Sequence, residues 1–482
     1  MLFNSLIFLI FLPIVFFGYW FVFKNLRVQN FFIVIASYFF YGWWDWRFLI
    51  LILLTTFTCF TSGILLSRQR SVAARRWICG INIGFNLGLL CFFKYFNFFS
   101  ENLRILFTQF GYQLDWFTLD VLLPVGISFY TFQAISYPID VYRGQVKPTK
   151  DFIAFTGFIS FFPQLVAGPI ERSTQLLPQF LKKRTFNYYD AVDGMRQILW
   201  GMFKKVVIAD NCAFLANKVF ENYGNCGSLE LILGACAFSF QIYGDFSGYS
   251  DIAVGVAKLF GIRLNMNFHY PYFSRNIAEF WRRWHISLNT WFRDYVYIPL
   301  GGGRDGVYKK VRNVFIVFAL SGLWHGANWT FIVWGIYCWL LFLPLILFAK
   351  NYRYKNIVAS NRSLPSFKEI GMMLSNFCLV TIGWIIFRSE NLEDGFRYIG
   401  RCFSTIGDNY DFTLEKNEFV LAYTALMILV MLVMEWTARK RLFALQVIEG
   451  KPLLVRWGTY FAICFFILIF TGQMADFIYF QF

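Results

Sequence analysis

Histidine is almost missing from this chain, with three residues in 482. Charge is sparse as well: 15% of residues are Asp, Glu, Lys or Arg, against 58% hydrophobic and 22% aromatic. That balance excludes a soluble globular domain and describes an all-α polytopic membrane protein. The ten cysteines form no CxxC pair and fall mostly inside apolar runs, so neither a zinc centre nor a disulfide framework is indicated. Three scattered histidines do not supply the converging ligands that zinc needs, and no metal site is expected. No GxSxG surrounds Ser247 or Ser321, so a strongly nucleophilic serine is not signalled. No repeat, linker or low-complexity tract divides residues 1–482, which read as a single membrane domain of ten to twelve spans. The formal charge of +16 is split among short loops between apolar runs. Charge so placed sets topology and meets anionic headgroups of the lipid bilayer, and it does not form a nucleic-acid surface.

Charge alternation orders the chain across the membrane. Residues 68–76 carry four arginines, 350–368 five basic and no acidic residues, and 437–456 five basic against one acidic, which places these loops on the cytoplasmic side. The segment 390–418, with seven acidic and three basic residues, is expected to face outward. Counting back through spans near 48–66, 30–43 and 2–23 puts the N-terminus outside. The first run, Leu2 to Phe23, lacks a basic n-region and a small-residue cleavage site and reads as a retained span.

Two segments break the simple pattern. Residues 152–170 are apolar yet end in FPQLVAGPI between Lys150 and Arg172, which suggests a re-entrant element covered by protein or a water-filled cavity. The run 229–260 holds Asp245, Ser247, Ser250 and Asp251 beside Gly244, Gly248 and Gly255. Its glycines permit close helix packing, and its carboxylates need water or partners. Asp245 is therefore a candidate site residue, with structural ion pairing as the alternative.

The chemistry concentrates further on. In residues 261–312, nine basic residues face three acidic ones, on what should be the cytoplasmic side. Trp281, Trp284, Leu288, Trp291 and Tyr295 share a helical stripe, with Arg282, Arg283 and Arg293 on other faces, as in an interfacial amphipathic helix. His285 lies on the buried side of that stripe. Next, the run LSGLWHGANW at 320–329 joins two apolar segments whose outer ends are both basic, so His325 sits near the apex of a hairpin within the bilayer. Residues 313–324, if helical, rise roughly 18 Å from the inner face. An ionisable residue at that depth is a functional-site hypothesis by default. Gly322 and Gly326 would leave room beside it, and Trp324 and Trp329 would wall it. Two histidines without metal ligands suit proton transfer in acyl transfer, with His325 as general base.

Taken together, AGPIER at 167–172, YGDFSGYSDIAVG at 243–255, FWRRWHISLNTWFRDYVYIPLGG at 280–302, LSGLWHGANWTFIVWG at 320–335 and the terminal DFIYFQF resemble the membrane-bound O-acyltransferase superfamily. The likeness is strongest to the bacterial branch that O-acetylates alginate and other cell-envelope polysaccharides, and it runs from YGWWDW at 41–46 to the C-terminus. The resemblance implies a ring of helices with re-entrant and interfacial elements around a thinned central site. It implies that His325 is catalytic and His285 the second functional histidine. It implies no permanently bound cofactor, a cytoplasmic donor such as acetyl-CoA or another acyl thioester, a periplasmic or membrane-anchored SGNH-like partner, a polysaccharide acceptor, and residence in the bacterial inner membrane. Arg282, Arg283, Arg293, Trp324, Asn328 and Asp245 are the candidate substrate- or donor-binding residues. A D-alanyl transferase for teichoic acid, charged from a carrier protein, is the alternative within the enzyme class. A transporter without chemistry is the alternative outside it, although no paired broken helices in repeated halves are visible.

Overall fold

The computed structural model describes residues 1–112, 123–406, 418–470 and 477–478. Residues 407–417 of the acidic segment, with Asp476 and residues 479–482 of the terminal motif, lie outside the described residues. The described chain is helical, without a strand, as its composition requires. Among the described residues, five helices are long and apolar enough to cross a membrane: Trp46–Arg68, Val72–Gln109, Trp329–Leu347, Phe367–Arg388 and Glu418–Thr437. Leu6–Val22 and Leu453–Ile469 are shorter apolar helices. The chain is a multi-pass membrane protein.

Two compact units divide it, Met1–Ala191 with Val256–Asn265, and Val192–Gly255 with Met266–Phe482. The first unit contains α1 (Leu6–Phe17), α2 (Leu26–Gly42), α3 (Leu49–Arg68), the 38-residue α4 (Val72–Gln109), α5 (Ile127–Tyr142), α6 (Phe152–Ser160), α7 (Phe162–Leu165) and α8 (Leu177–Phe180). The irregular element expected at 152–170 is the pair α6 and α7, and residues 154–170 are all buried. Broken backbone at such a place must find partners inside the protein. The Gln133 and Gln164 amides both donate to the Phe158 carbonyl, at 2.5 and 2.9 Å, and the Phe162 N–H donates to Ser37 Oγ at 3.0 Å. In the AGPIER block the Glu171 carboxylate accepts from the backbone and side-chain amides of Asn265, at 2.6 and 2.8 Å.

Helix α9 (Tyr188–Met202) passes through a π-helical turn, Phe203–Ala209, into α10 (Asp210–Glu221). The widened turn presents the consecutive Lys204 and Lys205 to the interior, where both are buried. In the second unit these lysines meet α11 (Ser228–Leu259), which carries the two aspartates singled out in the sequence. Lys204 Nζ pairs with Asp251 at 2.6 Å and bonds Ser247 at 2.9 Å. Lys205 Nζ pairs with Asp245 at 2.8 Å and Asp210 at 2.9 Å. A Cβ at Gly201 would come within 2.6 Å of the Gly248 carbonyl, so the glycines set the close approach that these bridges need.

The aromatic stripe at 281–295 is not one helix, contrary to expectation. It is broken into α12 (Ile277–Arg283) and α13 (Ile286–Phe292) at His285, which has φ 44° and ψ 54°. Trp284, Leu288 and Trp291 on the stripe are buried against the protein. Hydrogen bonding explains the break. The Asn289 amide donates to the Trp281 and Trp284 carbonyls, at 2.8 and 2.6 Å, and so satisfies the end of α12. The Ile286 N–H turns instead to the Asn267 carbonyl, at 2.9 Å. Helical periodicity counted the apolar residues correctly but could not see these side-chain caps.

Beyond α13 come α14 (Gly306–His325) and α15 (Trp329–Leu347), an antiparallel hairpin, followed by α16 (Phe367–Arg388), α17 (Leu392–Ser404), α18 (Glu418–Thr437) and α19 (Leu453–Ile469).

Candidate active site

His325 is the last residue of α14. The helix stops there because Gly326 is extended, and Asn328 restarts the chain by accepting the Thr330 N–H at 3.0 Å as the cap of α15. The Asn328 amide also donates to the Glu390 carbonyl at 2.8 Å. Asn328 thus holds the hairpin turn.

The glycines beside His325 serve packing and do not open a cleft. A Cβ at Gly322 would collide with the Phe331 carbonyl, and one at Gly326 with the Phe331 ring. Gly335 completes the arrangement, since its Cβ would lie 2.5 Å from the Phe318 carbonyl. Small residues here let α14 and α15 touch backbone to backbone.

Trp324 is buried, and Trp329 is about half exposed. Trp334 and Phe387 also stand against the histidine. The His325 ring lies 5.0 Å from Trp324, 5.1 Å from Trp334 and 5.3 Å from Phe387, each nearly perpendicular. It is 6% exposed. Trp384 stacks on Trp334 at 5.7 Å and leans on Trp284 at 5.0 Å, continuing the aromatic cage. Trp334, Trp384 and Phe387 carried no signal beyond apolarity.

His285 adjoins this cage. Its ring lies 5.7 Å from Trp324 and 4.7 Å from Phe246, and it is 2% exposed. Burial pushes its imidazole down to about 3, so it is neutral near neutral pH. A non-glycine residue held at positive φ costs free energy, and such strain concentrates at functional positions. The third histidine, His269, bonds the Arg441 carbonyl at 3.2 Å, and no group of metal ligands occurs among the described residues.

The three arginines part company. Arg282 and Arg293 line an open groove of about 480 Å³, together with Lys310, Trp281, Phe318 and Phe342. Arg282 donates to the Asn351 and Tyr354 carbonyls, at 3.0 and 2.6 Å, and Arg293 pairs with Asp294 at 2.7 Å. No carboxylate lines the groove itself. Arg283 points elsewhere, into a buried pair with Glu279 at 2.8 Å. Asp245 likewise stands in the lysine cluster, where its other oxygen accepts the Ile478 N–H at 2.7 Å. Lys310 was legible only as a topological charge, because it comes from a different helix. At the back of the groove Trp281 packs on Trp334 at 5.7 Å, and Trp334 is the ring against His325. A cationic groove, an aromatic partition and a buried imidazole therefore lie in series.

Residues 146–384 match the membrane-bound O-acyltransferase family. The chain is 42% identical over 410 residues to a probable alginate O-acetylase AlgI of Pseudomonas putida, covering 84% of this chain and 80% of that one. It is 34% identical over 430 residues to a peptidoglycan O-acetyltransferase of Helicobacter pylori, covering 83% and 79%. It is 32% identical over 279 residues to a teichoic acid D-alanyltransferase of Bacillus subtilis, covering 55% and 69%. With such likeness along most of its length, this chain belongs to the membrane-bound O-acyltransferases.

Proposed function

We propose that this enzyme takes an acetyl group from a cytoplasmic thioester, acetyl-CoA or an equivalent donor, and delivers it for O-acetylation of a cell-envelope or exported polysaccharide. An SGNH-like periplasmic or membrane-anchored protein is the proposed intermediary, and the bacterial inner membrane the proposed location. The observation that carries this reading is the groove of Arg282, Arg293 and Lys310, backed by Trp281 and Trp334 against His325. Guanidinium and ammonium groups suit the phosphates of a nucleotide-borne donor.

In the reaction, a hydroxyl oxygen forms a bond to the thioester carbonyl carbon, and the carbon–sulfur bond breaks. His325 accepts the hydroxyl proton and returns it to the departing thiolate, so the enzyme ends as it began. The surrounding rings of Trp324, Trp334 and Phe387 exclude water that would hydrolyse the thioester. His285, neutral and fixed at the start of α13, acts in orienting the donor.

The test is O-acetyl analysis of envelope polysaccharide in a deletion strain complemented with wild type or His325→Ala. Acetylation restored by wild type and not by the variant is expected. Acetylation restored equally by both would overturn the reading. D-alanyl transfer to teichoic acid remains the second reading because of the shorter likeness to that enzyme. A neighbouring gene for an acyl-carrier protein favours it, and one for an SGNH-like protein favours acetylation.

A further inference from the structure

A second cavity, of about 490 Å³, opens between α15 and α16 at the end where the basic loop 350–368 runs. Its sides are apolar, formed in part by Ile277, Leu345 and Met372; Arg275 and Lys368 lie toward the loop, and Asn376 lies two turns further along α16. Both flanking helices are long and apolar enough to span a membrane, and Leu340, Leu374 and Leu379 beside the opening are exposed. The mouth therefore faces lipid. Arg275 pairs with Glu279 at 3.0 Å and approaches Glu369 at 3.7 Å. Glu279 also holds Arg283, and Glu369 also holds Arg362. Three arginines thus share two carboxylates, Lys368 lines the cavity as a further cation, and the excess is positive. Asn376 is 4% exposed, and its amide oxygen has no hydrogen-bond partner.

We propose that this cavity is a binding site for an anionic glycerophospholipid of the phosphatidylglycerol type. Its phosphate meets Lys368 beside Arg275, and an acyl chain lies along the apolar wall past Asn376. Basic pockets between membrane helices on the cytoplasmic side suit such headgroups. The site is separate from the groove at Arg282, and the proposal does not depend on the acyl donor.

Gly371 provides a clean probe, because it lines the cavity and nothing lies within 4 Å of a Cβ built there. Gly371→Leu fills the space and suits a helix interior. The experiment measures binding of phosphatidylglycerol and phosphatidylcholine to the purified full chain in detergent by native mass spectrometry. Wild type should prefer phosphatidylglycerol by about tenfold. Gly371→Leu and Lys368→Gln should each lose most of that preference, and Lys355→Gln, on the same loop outside the cavity, should keep it. Equal binding of both lipids by wild type, undiminished preference in Gly371→Leu, or the same loss in Lys355→Gln would each overturn the proposal. So would equally tight binding of glycerol phosphate alone.

Discussion

His285 and His325 share one neighbour: the Trp324 indole lies 5.7 Å from the first ring and 5.0 Å from the second, nearly perpendicular to both. Forty residues of sequence separate them, yet a single aromatic side chain touches both. The two imidazoles belong to one buried site and differ in how they are held. His325 ends a helix, whereas His285 interrupts one.

That difference predicts different losses on mutation. A positioned general base contributes about 10²–10⁴-fold, so His325→Ala should reduce acetyl transfer by that factor while the protein inserts normally. His285→Ala should be milder and retain measurable activity. Quantified O-acetyl release from purified polysaccharide, at matched protein levels, distinguishes the two.

Arg282 and Arg283 are adjacent in sequence but should fail differently. Arg282→Gln and Lys310→Gln should raise the donor KM by about 3- to 10-fold, as expected for loss of one partly exposed charge contact, with little change in thermal stability. Arg283→Gln should leave KM nearly unchanged and cost about 1–3 kcal/mol, because Glu279 keeps only Arg275 as partner. Steady-state kinetics and detergent melting curves on the same preparations check both halves.

Lys205 neutralises Asp210 and Asp245 inside the second unit. Lys205→Met would leave both carboxylates buried without it, at a cost of about 3–5 kcal/mol. A melting temperature unchanged from wild type would show that the cluster is not needed for stability.

Acid should act through His285. Its folded value, about 3, lies below the ordinary 6.5, so the unfolded chain binds more protons between those limits. Stability from this residue is present above pH 6.5 and is lost as pH falls through the window, by up to about 1.4 kcal/mol per pH unit. His285→Gln should flatten that acid slope whatever its absolute stability. Thermal unfolding of both proteins across the window gives the comparison, and identical slopes would assign the acid sensitivity to another group.

Gly322→Ala places a methyl group against the Phe331 carbonyl, which as backbone cannot move aside. The hairpin should open slightly at a cost of about 1–3 kcal/mol, with loss of transfer activity. Gly371→Ala, where nothing lies in the way, is the neutral control for a glycine-to-alanine change.

Composition determined that this chain enters a membrane as helices, since only helices with internally satisfied backbones fit such long apolar runs. Local pattern marked the hairpin with His325 at its turn, because basic flanks and a short polar break are adjacent in sequence. The irregular backbone at 152–170 was also visible in its prolines. Tertiary structure alone decided the rest. The break at His285 depends on Asn289, which caps the preceding turn locally, and on Asn267, which comes from a separate segment. The cage of Trp334, Trp384 and Phe387 forms because two further helices bring rings that look like ordinary lipid-facing residues in a linear reading. Arg282 and Arg283 acquire opposite environments because successive residues on a helix project about 100° apart, one toward the groove and one toward Glu279. Charge and hydrophobicity belong to each residue, but partnership depends on three-dimensional distance, and periodicity along one element does not encode it.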